Sequence, residues 1–138
     1  MSAILGLDVG DVRIGIAVGN TVTRLPSPLT TLPNNAETLN HLRQLIQQHH
    51  VEVLVVGLPR NLSGNDTTQT VKSRNFAKKL HQELNLPVYL NDEALSSKRA
   101  EAELLRRGKP FKPEEIDSLA ATLILEDYFE NPSSAEKV

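Results

Sequence analysis

The chain contains no cysteine, and aromatic residues make up only 4% of its 138 residues. Without cysteine, neither a disulfide framework nor thiolate chemistry is available. The longest apolar stretches are strand-sized or interrupted by charges, and the N-terminus lacks the features of a signal peptide. These absences lead us to expect a soluble, cytoplasmic protein without a membrane span.

The chain also lacks a strong overall charge, since its formal net charge is -2. This balance argues against an obviously basic nucleic-acid binder, but the charges are unevenly distributed. Ten Lys/Arg against five Asp/Glu lie between Lys72 and Lys112, whereas Glu114 to Val138 holds seven acids and one lysine. The basic middle is either a set of solvated helix faces or a surface that faces phosphates, and both interpretations stay open.

The hydrophobic periodicity predicts one α/β domain over residues 1–130 and a flexible C-terminal tail over 131–138. Three strands, over residues 3–9, 13–19 and 28–32, form an antiparallel meander. A buried parallel strand follows at 51–58, a short strand at 87–91, and helices at 36–50, 67–84, 96–107 and 113–129. This order of elements predicts a five-stranded mixed sheet, a meander of three strands plus two parallel strands, with helices on both faces.

An aspartate, Asp8, lies within the first strand, where apolar residues or glycine occupy every other position. A desolvated carboxylate there costs several kcal/mol unless a metal, a cation or a hydrogen-bond donor accompanies it. We therefore regard Asp8 as the strongest candidate functional residue. The alternative is a polar residue that ends the strand before a Gly10-Asp11 turn.

Two further acids fall where a site would form. Ligand chemistry in such sheets collects at the carboxyl ends of parallel strands, and Glu93 is expected just past the end of the fifth strand. Asp117 opens the last helix, and we expect Ala120 and Ala121, three and four positions on, to let that helix approach the sheet. Each acid has a structural alternative, as a surface loop residue or as a favourable charge at a helix N-terminus.

Four segments of the chain together resemble the YqgF family, also called RuvX, over nearly the whole length. They are Leu5–Gly10 with Arg13–Ala17, Val55–Gly64, Asp92–Ser97, and Ile116–Ala121 with Leu123–Phe129. The resemblance implies a ribonuclease H-like fold and a nuclease, associated with the 5′ end of pre-16S ribosomal RNA or with Holliday junctions. It also implies an acidic catalytic set, which maps to Asp8, Glu93 and Asp117. One departure is that the family usually has arginine after the Asp-Glu pair, where this chain has Ala94.

Carboxylates suit the hydrolysis of phosphodiesters, because they can hold two hard cations that activate a water and stabilise the leaving oxygen. We expect Mg²⁺ or Mn²⁺, with Asp8 as the bridging ligand, Glu93 and Asp117 as further ligands and Asp92 as the fallback for Glu93. The four histidines show no convincing zinc pattern.

Nucleic acid is the expected partner, and the candidate substrate-binding residues are basic or polar: Arg13, Arg60, Asn61, Lys98 and Arg99. The segment 57–64 is equally well explained as an ordinary glycine-bounded loop. Few aromatic rings are available for base stacking, so shape and backbone recognition is the better expectation. RNA and DNA substrates, and a monomer and a homodimer, all stay open.

Two rival functions come from other classes. The Asp-Val-Gly turn resembles the phosphate loop of actin-like ATPases and sugar kinases, but those proteins need a second lobe that this length does not provide. A catalytically weak nucleic-acid or ribosome-assembly binding protein is more plausible, given Ala94 and the overall acidity. Loss of metal-dependent cleavage in Asp8→Asn would separate an enzyme from a binder.

Overall fold

The computed structural model describes residues 2–93 and 96–138. The strands are β1 (Ala3–Val9), β2 (Arg13–Asn20), β3 (Ser27–Pro33), β4 (Val51–Pro59), β5 (Val88–Glu93) and β6 (Glu136–Lys137). The helices are α1 (Thr38–His49), α2 (Thr68–Leu84), α3 (Ser96–Arg107) and α4 (Pro113–Glu130), followed by a 3₁₀ turn at Pro132–Ser134. None of the helices in these ranges is long and apolar enough to cross a membrane.

The strands form one mixed sheet in the order β3-β2-β1-β4-β5-β6. β1, β2 and β3 make the predicted antiparallel meander, and β4 and β5 continue the sheet parallel to β1. The predicted fold is therefore confirmed. The sheet has six strands rather than five, because β6 pairs antiparallel with β5. β6 lies within residues 131–138, for which the sequence predicts a flexible tail.

One face of the sheet is covered by α1 and α2. Its buried residues are aliphatic and alternate along each strand, as Leu5 and Leu7 do on β1 and Leu54 and Val56 do on β4. This alternation follows from the two-residue repeat of a strand, which sends neighbouring side chains to opposite faces. The even-numbered positions of β1 consequently face the other side, and Asp8 is one of them.

The second face packs against α4, and glycines bring the helix close. A Cβ at Gly6 would lie 2.5 Å from Leu125 Cγ, and one at Gly57 would lie 2.4 Å from Ile124 Cδ1. Only residues without a side chain allow so close a contact between helix and sheet. Ala121 also packs on this face, as predicted, whereas Ala120 contacts α3 through the cluster that includes Ala100.

Candidate active site

Three acidic side chains line one cavity of about 360 Å³ at the carboxyl ends of β1 and β5. Asp8 comes from β1, Glu93 ends β5, and Asp117 lies near the N-terminus of α4. Glu93 had been expected just past the strand. It is instead the last residue of β5, because the parallel pairing with β4 extends to the Pro59–Glu93 pair. The structure thus brings the three predicted acids to the same cavity.

Gly15 explains how Asp8 and Asp117 become neighbours. It is the cross-strand partner of Asp8, in the register that joins β1 and β2. A Cβ at Gly15 would lie 1.9 Å from the carbonyl oxygen of Asp117. The backbone of α4 therefore rests directly on β2, next to Asp8, and only glycine fits at this position.

The Asp8 carboxyl is partly buried at the end of β1. Burial raises its pKa from 3.8 to about 6, the nearby Asp117 adds to the rise, and the hydroxyl of Ser97 offsets part of it. Removing the charge from water and placing it beside a like charge both favour the protonated form. A cation that restored the charged form would relieve this strain.

Asp117 is paired with an arginine. Arg13 Nε donates a hydrogen bond to Asp117 Oδ2 at 2.6 Å. Arg13 is the first residue of β2. Its ion pair with Asp117 therefore joins β2 to α4 close to the contact between Gly15 and the α4 backbone. The predicted substrate contact Arg13 thus lies at the site, with a carboxylate as its partner in this structure.

Glu93 is the most deeply buried of the three acids, with 5% of its surface exposed. Arg99 of α3 donates to Glu93 Oε1 at 2.9 Å and to Asp127 Oδ2 of α4 at 3.3 Å. Glu93 Oε2 is also buried, and it has no hydrogen-bond partner among the residues described. Burial and the neighbouring Asp127 raise the pKa of Glu93 above its usual value, while Arg99 opposes the rise.

Asp92, the fallback for Glu93, lies on the opposite face of β5, because successive residues of a strand alternate. Its side chain is exposed and accepts a hydrogen bond from Arg60 Nε at 3.1 Å. The structure therefore places Glu93, and not Asp92, beside the other two acids.

A family model described as a Holliday junction resolvase, RuvX, matches residues 2–131. The chain belongs to the RuvX family. This match confirms the predicted resemblance and the nuclease class that it implies.

Curated relatives are similar to the chain over nearly their full length, and two of them, each named "Putative pre-16S rRNA nuclease", illustrate the match. The one from Haemophilus ducreyi is 38% identical and covers 94% of this chain and 97% of the relative. The one from Legionella pneumophila is 39% identical and covers 91% and 94%.

Solved structures support the ribonuclease H-like fold. The RuvC of T. thermophilus in complex with a Holliday junction substrate superposes with a TM-score of 0.61 at 17% identity, and the match covers 100% of both chains. The yeast mitochondrial Holliday junction resolvase Ydc2 superposes with a TM-score of 0.50 at 13% identity, over 93% of this chain and 78% of that one. At these identities the likeness concerns the fold alone.

The departure from the RuvX pattern at Ala94 raises the question of what supports Glu93. Ala94 lies outside the described residues. Arg99, however, supplies a guanidinium to Glu93 from the following helix. Glu93 thus has an arginine partner, although that arginine is at position 99 and not at position 94.

Polar side chains of the loop after β4 form ion pairs and hydrogen bonds with other residues of the same loop. Arg60 and Asp66 form an ion pair and an isolated β-bridge that closes the loop. Asn61 Oδ1 accepts the backbone N–H groups of Ser63 at 3.0 Å and Asn65 at 2.9 Å. These contacts favour the loop-forming interpretation of Arg60 and Asn61, whose role in substrate binding stays a prediction.

The basic residues in the middle of the sequence differ in what they contact. Several of its residues form ion pairs on the surface: Lys72 with Asp11, Arg74 with Glu136, and Arg106 and Arg107 with Glu103. Lys98, in contrast, lines the same cavity as the three acids. Lys98 is therefore the lysine of this segment that is placed, within the described residues, beside the three acids.

Carboxylate oxygens are the donors that Mg²⁺ and Mn²⁺ prefer. Two groups would be stabilised by a hard cation: the buried Glu93 Oε2, which has no donor among the described residues, and the partly buried Asp8 carboxyl, whose pKa is raised. Within residues 2–93 and 96–138, however, no three acidic, histidine or cysteine side chains are already placed to hold one ion. The three acids supply the kind of oxygen donor that a divalent cation prefers. In this structure, however, Arg13 and Arg99 form ion pairs with Asp117 and Glu93.

Sequence reasoning missed three polar residues at the site. Gln69 of α2 lines the cavity and donates to the carbonyl oxygen of Val9 at 2.8 Å, and Ser97 lies beside Asp8. Asp127 is the second acceptor of Arg99. Ser97 and Asp127 lie within the segments Asp92–Ser97 and Leu123–Phe129 that carry the family resemblance and could have been found there, whereas Gln69 carries no signal in the sequence.

Proposed function

We propose that this RuvX protein is a metal-dependent endonuclease that hydrolyses phosphodiester bonds of structured nucleic acid. The observation that carries the proposal is the meeting of Asp8, Glu93 and Asp117 at one cavity, with Lys98 at its wall. Like charges that share a cavity repel each other, and a bound cation would offset the repulsion that the two arginine pairs leave at Asp8.

Mg²⁺ or Mn²⁺ would be held by the three carboxylates, with Asp8 as the shared ligand. Bound there, the cations would activate a water molecule and stabilise the leaving oxygen of the phosphodiester. Asp8 is suited to this role because it lies next to Asp117 and lines the cavity that Glu93 also lines. Arg13 and Lys98 would place positive charge next to the scissile phosphate and orient it.

Pre-16S ribosomal RNA, cut at its 5′ end, is the substrate we favour, and the name of the curated relatives that span this chain supports the choice of this RNA. Processing of such an RNA would place the protein in the cytoplasm. A four-way DNA junction is the second candidate, and the description of the matching family model favours it. Both substrates present the same phosphodiester to the same acids.

A binding protein without cleavage activity is the third candidate. It is favoured by the ion pairs of Arg13 with Asp117 and of Arg99 with Glu93, which neutralise two of the acids without a metal. Such a protein would bind its nucleic acid equally well with and without a divalent cation.

One cleavage assay tests the three candidates. The protein and its Asp8→Asn variant are incubated with pre-16S RNA, a four-way junction and duplex controls, each with Mg²⁺, Mn²⁺ or a chelator. Glu83→Gln is the matched control, because Glu83 is an exposed carboxylate on α2 outside the cavity. We expect cleavage that needs a cation, is lost in Asp8→Asn and is unchanged in Glu83→Gln. Cleavage that survives in Asp8→Asn would refute the site, and binding without cleavage of any substrate would favour the third candidate.

A further inference from the structure

Arg99 joins three elements of the fold around one buried carboxylate. Glu93 is at the end of β5, Arg99 is in the first turn of α3, and Asp127 is in the last turns of α4. The guanidinium donates to both acids, at 2.9 Å to Glu93 Oε1 and at 3.3 Å to Asp127 Oδ2. Both bonds come from the same nitrogen, Nη1, and two acceptors on one nitrogen restrict the orientation of the guanidinium more than a single contact would.

The burial of the three side chains shows which of them depends on the others. The side chain of Glu93 is 3% exposed, whereas those of Arg99 and Asp127 are 47% and 33% exposed. A carboxylate that is so deeply buried needs a partner, while Arg99 and Asp127 could each be solvated without the other. Arg99 and Asp127 therefore both lie beside the Glu93 carboxyl, and Arg99 Nη1 is within hydrogen-bond distance of both acids.

The two oxygens of Glu93 are used unequally. Oε1 accepts from Arg99, and Oε2 has no hydrogen-bond donor in the part of the chain that the structure describes. A carboxylate that is held by one oxygen keeps its other oxygen as an acceptor in a defined place. Groups that orient a ligating carboxylate in this way strengthen metal binding without touching the metal.

We propose that Arg99 and Asp127 are positioning residues for Glu93, and that Arg99 does not contact the nucleic acid. Arg99 fixes one oxygen of Glu93, and Asp127 fixes Arg99. This inference rests on the proposed function, in which Glu93 is a metal ligand. It assigns a role to Asp127 and separates Arg99 from its sequence neighbour Lys98, which lines the cavity itself.

The choice of variant decides what is tested. Removal of Arg99 alone also removes a positive charge, which by itself would favour a nearby cation and oppose the loss of positioning. The double variant Arg99→Ala with Asp127→Ala removes one charge of each sign and leaves the net charge unchanged. Arg106→Ala with Glu103→Ala is the matched control, since it removes another Arg–acid pair of α3.

The first readout is the affinity of the purified protein for Mn²⁺, measured by calorimetry without nucleic acid. We expect the Arg99/Asp127 double variant to bind Mn²⁺ about tenfold more weakly than the unmodified protein, in the range observed when groups that orient a metal ligand are removed. The Arg106/Glu103 control should bind normally. Arg99→Lys keeps the positive charge and one donor group but loses the planar guanidinium. Its Mn²⁺ affinity should lie between those of the double variant and the control.

The second readout separates positioning from substrate contact. Binding of nucleic acid to Arg99→Ala is measured over a salt series in the presence of Ca²⁺, with a thermal melt to confirm folding. We expect the slope of log affinity against log salt to be unchanged. A slope smaller by about one unit would make Arg99 a phosphate contact and overturn the proposal.

Unaltered Mn²⁺ affinity in both the double variant and Arg99→Lys would also overturn it. If the unmodified protein binds Mn²⁺ and Asp8→Asn does not, while the double variant binds normally, only the positioning role fails. If the unmodified protein binds no Mn²⁺, the proposed function and this inference fail together.

Discussion

Gly15 of β2 lies against the backbone of Asp117, so closely that a Cβ would stand 1.9 Å from the Asp117 carbonyl oxygen. Gly15 is also paired with Asp8 across the β1–β2 ladder. One glycine thus sets the separation between two acids that are far apart in the sequence. The contact involves backbone on both sides, so no side-chain rotation can relieve an added methyl group.

We predict that Gly15→Ala displaces the N-terminal part of α4 and separates Asp117 from Asp8. Cleavage should be lost, and the free energy of unfolding should fall by about 1–3 kcal/mol, as for other overpacked sites. Gly57→Ala is the matched control, because the nearest atom there is the side chain of Ile124, which can move. Equal activity of the two variants would show that the Gly15 contact does not set the geometry of the site.

A second prediction concerns the stability of Asp8→Asn in chelator. The folded protein raises the pKa of Asp8 from 3.8 to about 6. Its neutral form therefore contributes stability that is fully present below about pH 4 and is lost as the pH rises through about 6. At neutral pH the rise corresponds to a destabilisation of roughly 3 kcal/mol at most, which Asn would remove.

Asp8→Asn should consequently be as stable as the unmodified protein or more stable at neutral pH, and the advantage should shrink in acid. Thermal or urea unfolding at several pH values measures this difference. A large loss of stability at neutral pH would instead mark Asp8 as a structural residue.

The same pKa predicts the pH dependence of cation binding. A divalent cation needs the ionised carboxylate, so it must displace the proton of Asp8. Affinity for Mn²⁺ should therefore rise with pH through about 6 and level off above it. The raised pKa of Glu93 extends the rise to higher pH. Calorimetry over a pH series tests this expectation, and a flat profile between about pH 5 and pH 8 would contradict it.

Arg13 should behave differently from Arg99. Its hydrogen bond among the described residues goes to Asp117, at 2.6 Å, and its side chain is half-exposed, so we expect its removal to free a carboxylate without removing a support. We predict that Arg13→Gln binds Mn²⁺ several-fold more tightly and nucleic acid more weakly. Binding of both ligands to the purified variant is the measurement. Weaker Mn²⁺ binding would show that Arg13 holds Asp117 in its ligating position.

Lys98 is the predicted phosphate contact of α3. Lys98→Ala should weaken nucleic-acid binding with little change in sequence preference, and it should lower the salt slope by about one unit. Lys78→Ala is the control, since Lys78 is an exposed lysine of α2 that does not line the cavity. Identical slopes for Lys98→Ala and the unmodified protein would remove Lys98 from the interface.

The sequence predicted the sheet and the helices well, because their periodicities are strong. β1 was predicted to span residues 3–9 and does so, and α3 was predicted to span residues 96–107 and does so. β6 was missed, because two exposed residues, Glu136 and Lys137, have no alternation of burial that could indicate a strand. Its position depends on the pairing with Tyr89 and Leu90, which is a tertiary contact.

For the site, the sequence predicted which acids to consider but not their partners. Asp8 could be found because a charge interrupts an apolar strand pattern. The pairing of Arg99 with Asp127 could not, because it depends on how α3 packs on α4. The sequence points to Ala120 and Ala121 for the close approach of α4, but the structure shows that glycines 6, 15 and 57 of the strands allow it, as glycine inside a strand often does.

The Arg13–Asp117 bond joins residues that are 104 positions apart. During synthesis, β1 and β2 leave the ribosome long before α4 exists, so Asp8 and Arg13 spend that time without their later neighbours. The glycine-lined face of the sheet also stays uncovered until α4 docks. Contacts of such sequence separation form slowly and late. An emerging chain should therefore have no hydrolytic capacity until translation has passed α4, which keeps an incompletely made nuclease from acting on the RNA around it.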